Sequence, residues 1–486
     1  MRALVVLLLL LAGCARGPDA EALKQDVHQR LAQALPPDTL TLAALERRGS
    51  QHDPKAPGGE TRRTVYYDAQ LKLERDFDFG AWDGPGVAGL VSALGSGPKG
   101  ITGIASGGNK AGDLINAHGT ALYKREAGGW VSVAPAGYRP ETAPALATNA
   151  PQGGAAALLD AIRKVIESVP RELAPAHTAV IEQELAVAHA AIRGRLARAT
   201  DGYAIAGGPE HGQYLRFAQA LSGAAQPRIV PLVTRGGDEN LRLLRDRKVS
   251  LALAQGDAAL DAFQGSGSFA AAGPHATLRA LGSLYPEPLH VLVRDEPGLA
   301  SLADLRGRRV AIGQQGAASR TTALRVLEAH GLGLKDIEPL ELALGDALVA
   351  LQSREADAVI QVIGVPADSV RDMLADIPLR LLSLSAGAVA ALAQAKAGYF
   401  AYTIPPGAYP TQRQEIDTVA TAALLLVSDD LSDTEVGALA RIVFESGRDF
   451  VARGSAQGTQ VSAANARQGL PIPQHVAAAK ALGSPK

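Results

Sequence analysis

Residues 301–330, which read SLADLRGRRVAIGQQGAASRTTALRVLEAH, contain a pattern that can bind an anion. The pattern predicts a short strand at Arg309 to Ile312, a turn at Gly313 to Gly316, and a helix at Ala317 to His330. The first turn of such a helix carries backbone N–H groups without internal acceptors and lies at the positive end of the helix dipole. The pattern therefore favours an anion site at Gly316 to Ser319. The alternative is an ordinary connection between a strand and a helix.

Similar strand–turn–helix units recur along the second half of the chain. The apolar runs at 203–206, 229–233, 249–254 and 357–363 each end in a turn rich in glycine or polar residues. Strands that alternate with helices of about ten residues are typical of a parallel α/β sheet. Because ligands of such sheets bind outside the carboxyl ends of the strands, we expect a binding site where these turns meet.

Side chains at or beside these strand ends are the candidate ligand-binding residues. They include groups that stack on a ligand, donate or accept hydrogen bonds, or pair with a carboxylate. For Arg320, a solvent-facing charge in the first helical turn is the alternative. The candidates are Tyr214, Asn240, Gln255, Asp257, Tyr285, Gly316, Ser319, Arg320, Gln361 and Pro366.

Catalytic patterns are absent from the sequence. It contains no Gly-x-Ser-x-Gly elbow, no His-Glu-x-x-His, no Cys-x-x-Cys and no Walker loop. His211 has no identifiable nucleophile beside it, so it is not expected to be a general base. Asp257 has no companion carboxylates that would form a metal site, so we expect it to cap a helix or to accept a hydrogen bond from a ligand. We therefore expect neither an enzyme nor a bound metal or cofactor.

Composition sets the size and class of the protein. A chain of 486 residues is too long for one core, so two or three domains are expected. Its 47% hydrophobic and 20% charged content is ordinary for globular protein. A formal net charge of −1 gives no general attraction to nucleic acid, which is not expected as a partner.

The first residues resemble a bacterial lipoprotein signal. Arg2 precedes an apolar run from Ala3 to Ala12 that is too short to span a bilayer, and Gly13 and Cys14 follow. Cys14 is the single cysteine of the chain, so lipidation of its thiol is expected, with residues 1–13 removed and 14–19 as a tether. A simple secretory signal is the alternative. Ala15, in place of an aspartate, favours the outer over the inner membrane.

Two further segments precede the predicted α/β domain. Residues 20–150 combine a helical apolar pattern at 21–35 with a clean alternation at 65–79, which predicts a small α+β domain. Residues 151–199 are rich in alanine and predict a helical linker. Later in the chain, Ser432 and Glu435 form the capping-box pattern that opens a helix.

From residue 200 to about 475 the chain resembles the TAXI-type solute-binding proteins of tripartite ATP-independent periplasmic (TRAP) transporters. The resemblance rests on motifs in the family's order: GGPEHGQY, GGDENLRLL, LALAQGDAALDAF, SLYPEPLHVLVR, SLADLRGRRVAIG, ALQSREADAVIQVIGVP and YTIPPGAYP. In the family's Gly-Pro-Pro-Gly-Ser-Gly-Thr loop, this chain has Gln314 and Gln315 for the prolines and Ala317 for the serine.

The resemblance implies a two-lobed, type II periplasmic binding protein-like domain over residues 200–486. One lobe would comprise about 200–283 and 385–486, the other about 295–376, with crossings near 284–294 and 377–384. It implies capture of a small organic anion, a dicarboxylate or acidic amino acid, for TRAP-type membrane permease subunits. The alternative is a non-transport envelope lipoprotein in which the binding domain is a sensor or scaffold.

A substitution at the proposed lipidation site tests the anchor. We expect Cys14→Ser to abolish membrane attachment, because multiple acyl chains on this thiol would supply the membrane affinity. Fractionation of cells that express the parent and the variant measures the effect. If the variant still sediments with membranes, another part of the protein or a partner is the anchor.

Overall fold

The computed structural model describes residues 17–134 and 175–483, except 55, 57, 58, 83, 85, 224–227, 316, 396 and 411. The predicted lipoprotein signal, Cys14 and residues 151–174 of the predicted linker therefore lie outside the described residues. Among the described residues, no helix is both long enough and apolar enough to cross a membrane.

The first unit is a curved antiparallel sheet with two helices. Its elements are α1 (Ala20–Ala34), β1 (Leu40–His52), β2 (Arg62–Leu73), α2 (Gly86–Leu94), β3 (Ile101–Thr102), β4 (Leu114–Glu126) and β5 (Gly129–Ala134). Asp19 caps α1 by accepting from the N–H of Ala22. The strand order is β1-β2-β4-β3, with β5 on β4.

The alternation predicted for residues 65–79 is confirmed as far as Leu73, where β2 ends. Alternate residues Val65, Tyr67 and Ala69 are buried against α1 and α2, as the pleat of a half-buried strand requires. The same core also takes in Val451 and Ala456 from the C-terminal part of the chain, so the first unit is packed on the second.

The second unit alternates strands and helices. Its elements are α3 (Pro175–Asp201), β6 (Tyr203–Gly208), α4 (Gln213–Ser222), β7 (Ile229–Val233), α5 (Gly237–Arg245), β8 (Leu251–Gln255), α6 (Gly256–Gln264), β9 (Arg279–Arg294), β10 (Arg309–Ala311), α7 (Ala318–Ala329), β11 (Glu338–Leu340), α8 (Leu344–Gln352), β12 (Ala358–Val362), α9 (Asp368–Asp376), β13 (Leu379–Leu381), α10 (Ala386–Gln394), β14 (Phe400–Ile404), β15 (Ile416–Val427), α11 (Asp433–Phe444) and α12 (Val476–Ala481). Short 3-10 turns lie at 98–100, 267–272, 302–305, 334–336 and 456–460.

Its ten strands form one continuous sheet that is divided between two lobes. The first lobe has the order β7-β6-β8-β15-β9 and the second β11-β10-β12-β9-β13, and the tenth strand, β14, pairs with β15. In each lobe the first three strands are parallel and the next strand is antiparallel to them. This repeated order confirms the predicted α/β fold with two lobes, of the type II periplasmic binding protein-like class.

Two long strands connect the lobes. In β9, residues 279–288 pair with β15 in the first lobe and 289–293 pair with β12 in the second. The predicted second crossing at 377–384 is wrong, because β13 still pairs with β9 and Leu392 of α10 lies in the second lobe's core. The chain returns along β15, where Val419 packs in the second lobe and Leu425 in the first.

The helix α3 is joined to the first lobe by a buried arginine. The guanidinium of Arg198 donates to Glu435 Oε1 at 2.8 Å and to Asp430 Oδ2 at 2.8 Å, and its side chain is 6% exposed. The predicted capping box of Ser432 and Glu435 is confirmed at the start of α11. Burial opposes ionisation of Glu435, but hydrogen bonds from Arg198 and Ser432 hold its pKa at about 2.

Removal of this guanidinium tests how firmly α3 is held. Arg198→Ala leaves Glu435 buried without its partner, and we expect a loss of about 3 kcal/mol in the free energy of unfolding at pH 7. The depressed pKa means that the ion pair's contribution is present above pH 4.5 and is lost as the pH falls toward 2. Urea unfolding between pH 2.5 and 7 measures both effects.

Arg195→Ala is the matched control. Arg195 lies 3.8 Å from the same Glu435 carboxylate, but its side chain is 58% exposed. We expect its loss to cost no more than about 0.5 kcal/mol. Equal effects of the two substitutions would contradict the assignment of the anchoring role to Arg198.

Candidate functional site

The cleft between the lobes lies at the carboxyl ends of the parallel strands. β6 and β8 end on the side of the first lobe, and β10 and β12 on the side of the second. β9 and β15 run underneath, because they belong to both lobes. The predicted location of a site at these strand ends thus coincides with the boundary where the two lobes meet, which we call the cleft.

One set of contacts, the Gln213 bridge (Gln213, Arg216, Gly364, Pro366 and Asp368), ties α4 of the first lobe to the second lobe. Gln213 Nε2 donates to Gly364 O at 2.8 Å, and its Oε1 accepts from the N–H of Gly364 at 2.9 Å. A Cβ atom at Gly364 would lie 2.8 Å from Gln213 Oε1, so glycine permits this approach. Arg216 and Asp368 add an ion pair, and Pro366 O accepts from Gln213.

A second set, the Asp257 bridge (Asp257, Asp261, Thr322, Arg325 and Tyr399), ties α6 to α7 and to Tyr399. Asp257 Oδ2 accepts from Thr322 Oγ1 and from the Tyr399 hydroxyl, both at 2.7 Å. Arg325 Nη2 lies 2.9 Å from Asp261 Oδ2. Burial raises the pKa of Asp257 despite the hydrogen bonds from Thr322 and Tyr399.

Between the two bridges lies the central group, which consists of Tyr214, Gln255, Tyr285 and Glu287. The hydroxyl of Tyr214 donates to Glu287 Oε2 at 2.5 Å. Glu287 is 4% exposed, and burial raises its pKa to about 8, with a further contribution from the charge of Asp257. The Tyr285 ring lies close to Gly364, because a Cβ atom added at Gly364 would be 3.2 Å from the ring. The central group therefore adjoins the Gln213 bridge as well.

Of the predicted residues, the structure brings Tyr214, Gln255, Asp257, Tyr285 and Pro366 to the centre of the cleft or its bridges. Pro366 takes part through its carbonyl oxygen, which also accepts from Gln457 at 2.6 Å.

Asn240 has a different role from the predicted one. It is fully buried, and its Nδ2 donates to Gly207 O and Leu253 O, both at 2.7 Å. Its Oδ1 accepts from Thr234 Oγ1 at 2.6 Å. Because both amide protons join the ends of β6 and β8, Asn240 positions the strand ends rather than offering donors to a ligand.

The predicted anion seat at the start of α7 is only partly described, since Gly316 lies outside the described residues. Ser319 is 9% exposed, and its hydroxyl accepts from Gln361 Nε2 at 2.9 Å. Arg320 Nη2 donates to Glu341 Oε1 at 2.8 Å. Ser319 and Gln361 thus join α7 to β12, while Nη2 of Arg320 is engaged and its Nε is buried without a hydrogen-bond partner among the described residues.

Sequence reasoning missed Gln213, Glu287, Thr322 and Tyr399. Glu287 had a usable signal, because it stands two residues after Tyr285 in a strand and therefore on the same face. The other three depend on contacts between distant parts of the chain, such as Tyr399 to Asp257, 142 residues apart.

His290 lies on the opposite face of β9 from Glu287. It is fully buried, donates from Nδ1 to Pro288 O at 2.9 Å, and accepts from the Tyr409 hydroxyl at Nε2 at 2.7 Å. Burial lowers its pKa to about 4, so it is neutral at pH 7 and has both ring nitrogens engaged. Among the described residues, no three or more His, Cys, Asp or Glu side chains form a cluster that could hold a metal.

The fold defines a two-lobed α/β protein in which polar side chains of both lobes meet at the boundary between them. The chain belongs to the NMT1-like family, which matches residues 205–483. This family, and not the narrower TAXI type, is what the comparisons establish.

Individual relatives match only in part. The putative aliphatic sulfonates-binding protein of Escherichia coli (strain K12) is 37% identical over 73 residues, which are 15% of this chain and 23% of that protein. The chain therefore spans about a quarter of the length of this curated relative.

Solved structures also resemble part of the chain. The periplasmic aliphatic sulphonate binding protein SsuA from Escherichia coli aligns with a TM-score of 0.34 and 20% identity, over 52% of this chain and 72% of that one. SsuA from Xanthomonas axonopodis pv. citri, bound to MOPS, aligns with a TM-score of 0.33 and 19% identity, over 53% of this chain and 83% of that one. PhnD1 from Prochlorococcus marinus, in complex with methylphosphonate, aligns with a TM-score of 0.31 and 11% identity, over 52% of this chain and 82% of that one.

The raised pKa of Glu287 predicts a pH-dependent stability. Its folded-state pKa of about 8 lies above the ordinary 4.5, so the folded state binds the proton more tightly than the unfolded state. The free energy of unfolding should therefore fall as the pH rises from 4.5 through 8. Glu287→Gln keeps the hydrogen bond with Tyr214 but removes the titration, and should stabilise the protein at pH 9 by at most about 5 kcal/mol.

Urea unfolding at pH 5 and pH 9 measures this difference. Glu328→Gln, at an exposed carboxyl of α7, is the control and should leave the pH dependence of the parent unchanged. A Glu287→Gln variant that loses as much stability as the parent between the two pH values would refute a buried, proton-binding carboxyl.

Proposed function

We propose that this chain is an extracytoplasmic solute-binding protein that closes its two lobes over a small ligand. The observation that carries the proposal is the central group, where Tyr214, Gln255, Tyr285 and Glu287 from the first lobe and the crossing strand meet under the second lobe. Buried polar side chains are costly unless they are paired, so their concentration at the strand ends favours a binding role over a packing role.

The two bridges explain how closure is stabilised. Each joins one lobe directly to the other, on either side of the central group, and both would break when the lobes separate. A ligand that contacts both lobes adds free energy only to the closed state and shifts the population toward it. The crossing strands β9 and β15 are the parts of the chain about which the lobes would move.

The narrower proposal is uptake of a small organic anion through a TRAP-type permease, as the TAXI-like motifs imply. The start of α7, where Ala317 provides no side-chain cap for the free N–H groups, supports an anion, and the relative from Escherichia coli is named for aliphatic sulfonates. A dicarboxylate, an acidic amino acid or a sulfonate are therefore the candidate ligands. Binding, not catalysis, is the proposed activity.

We further propose that the protein is lipid-anchored through Cys14 and faces the periplasm. The apolar run before the single cysteine supports the anchor, and Ala15 supports the outer membrane.

A specific observation favours a second candidate, a sensor or scaffold. The first unit contacts both lobes: Trp82 stacks on Phe400 at 6.0 Å between ring centroids in the first lobe's core, and Ala88 packs in the second lobe's core. Ser92 Oγ donates to Ala408 O at 3.0 Å, and Asn465 Nδ2 donates to Gly80 O at 3.2 Å. A domain held by both lobes restrains their separation and can report on it.

Calorimetry of the mature chain against carboxylates, sulfonates and amino acids tests solute binding. We expect at least one compound to bind, and Gln213→Leu to weaken its affinity by about tenfold, because the closed state loses a bridge. Gln219→Leu, on an exposed position of the same helix, is the control and should bind as the parent does. If no compound binds at millimolar concentration, the scaffold is the better explanation.

A further inference from the structure

Three oxygen atoms in the cleft are buried without hydrogen-bond partners among the described residues. They are Gln255 Oε1, Asp257 Oδ1 and the hydroxyl of Tyr285. The three residues are 6%, 1% and 0% exposed. An unpaired buried polar atom costs more than a hydrogen bond contributes, so three together at a strand end indicate a group that these atoms are built to meet.

The strand register places Gln255 and Tyr285 on one face of neighbouring strands. Gln255 of β8 pairs with Ala423 of β15, which pairs with Tyr285 of β9, so the two side chains lie about 10 Å apart across three strands. Glu287 stands on the same face as Tyr285, two residues on. The charge of Asp257 acts on Glu287, which places these carboxyls close to each other.

The chemistry of this cluster is that of a hydrogen-bond acceptor. Amide and carboxylate oxygens accept, and the Tyr285 hydroxyl accepts as readily as it donates. A carboxylate or sulfonate offers acceptors and no N–H donors, so it would leave the amide oxygen of Gln255 and the Oδ1 atom of Asp257 unpaired. Two arginines lie beside the cleft: Arg325 is bound to Asp261 and Tyr399, with its Nη1 3.8 Å from Asp257 Oδ2, and Arg320 is bound to Glu341.

We propose that the centre of the cleft binds an amino group of the ligand, held by Asp257, Gln255, Tyr285 and Glu287. This inference rests on the proposed solute-binding function and names the part of the solute that the central group recognises. A primary ammonium offers three N–H donors and a positive charge, which fit three unpaired oxygens and two carboxyls.

Four ligands that share a four-carbon chain distinguish binding of an amino group from binding of an acid group. The mature chain is titrated with n-butylamine, 4-aminobutyrate, n-butyrate and n-butanesulfonate, by calorimetry and by thermal unfolding. We expect butylamine, aminobutyrate or both to bind and to raise the unfolding temperature, and the two acids without an amino group to have no effect.

Asp257→Asn is the most direct variant. Thr322 and Tyr399 both donate to Oδ2, so the amide oxygen of asparagine keeps that position and its NH₂ group replaces the unpaired Oδ1. The Asp257 bridge is retained, but an acceptor becomes a donor. We expect amine binding to weaken by about tenfold or more, whereas Glu328→Gln, at an exposed carboxyl, leaves it unchanged.

Tyr285→Phe gives an independent readout. Because the hydroxyl is unpaired and buried, its removal should raise the unfolding temperature of the ligand-free protein and, at the same time, lower the affinity for the amine. A merely structural tyrosine would lose stability without its hydroxyl.

Three results would overturn the inference. Binding of butyrate or butanesulfonate with no binding of either amine places an anion at the centre, and leaves the solute-binding function intact. Amine binding that Asp257→Asn and Tyr285→Phe leave unchanged places the amino group elsewhere. If none of the probes binds at millimolar concentration, the amino-group site fails, while the wider panel of carboxylates, sulfonates and amino acids still decides the proposed function.

Discussion

The antiparallel pairing of β9 with β15 is the constraint on which the rest of the structure depends. β9 continues through both lobes, from its pairing with β15 to its pairing with β12. Pro286 and Pro288 stand where it passes from one lobe to the other and cannot donate to the ladder. The two lobes are therefore joined through a strand whose hydrogen bonding is weakest between them, which is where movement costs least.

The same strand determines the character of the cleft. Its alternation directs Tyr285 and Glu287 to one face and His290 to the other. On the cleft face, Glu287 meets Tyr214 and the charge of Asp257. On the opposite face, His290 meets Tyr409 in a chain of paired hydrogen bonds. The polar groups on one face are therefore paired with each other, whereas the other face includes the unpaired hydroxyl of Tyr285.

The first unit changes what lobe movement requires. Its residues lie in the cores of both lobes, and its own core includes Val451 and Ala456. Separation of the lobes must therefore disturb apolar contacts as well as the two polar bridges. In both hypotheses, solute binding and the contacts of the first unit shift the equilibrium between separated and closed lobes. The transport and sensor hypotheses differ only in which partner recognises the closed state.

The sequence by itself determined the α/β class, the strand ends that line the cleft, the α+β character of the first unit and the capping box at Ser432, because each follows from local periodicity or turn chemistry. It misplaced the second crossing and the role of Asn240. Only the tertiary structure decided that Asn240 ties two strands together, that Glu287 meets Tyr214, and that Asp257 meets Tyr399. These contacts join residues tens of positions apart or more, and strand register and lobe packing, which no local pattern encodes, bring them together.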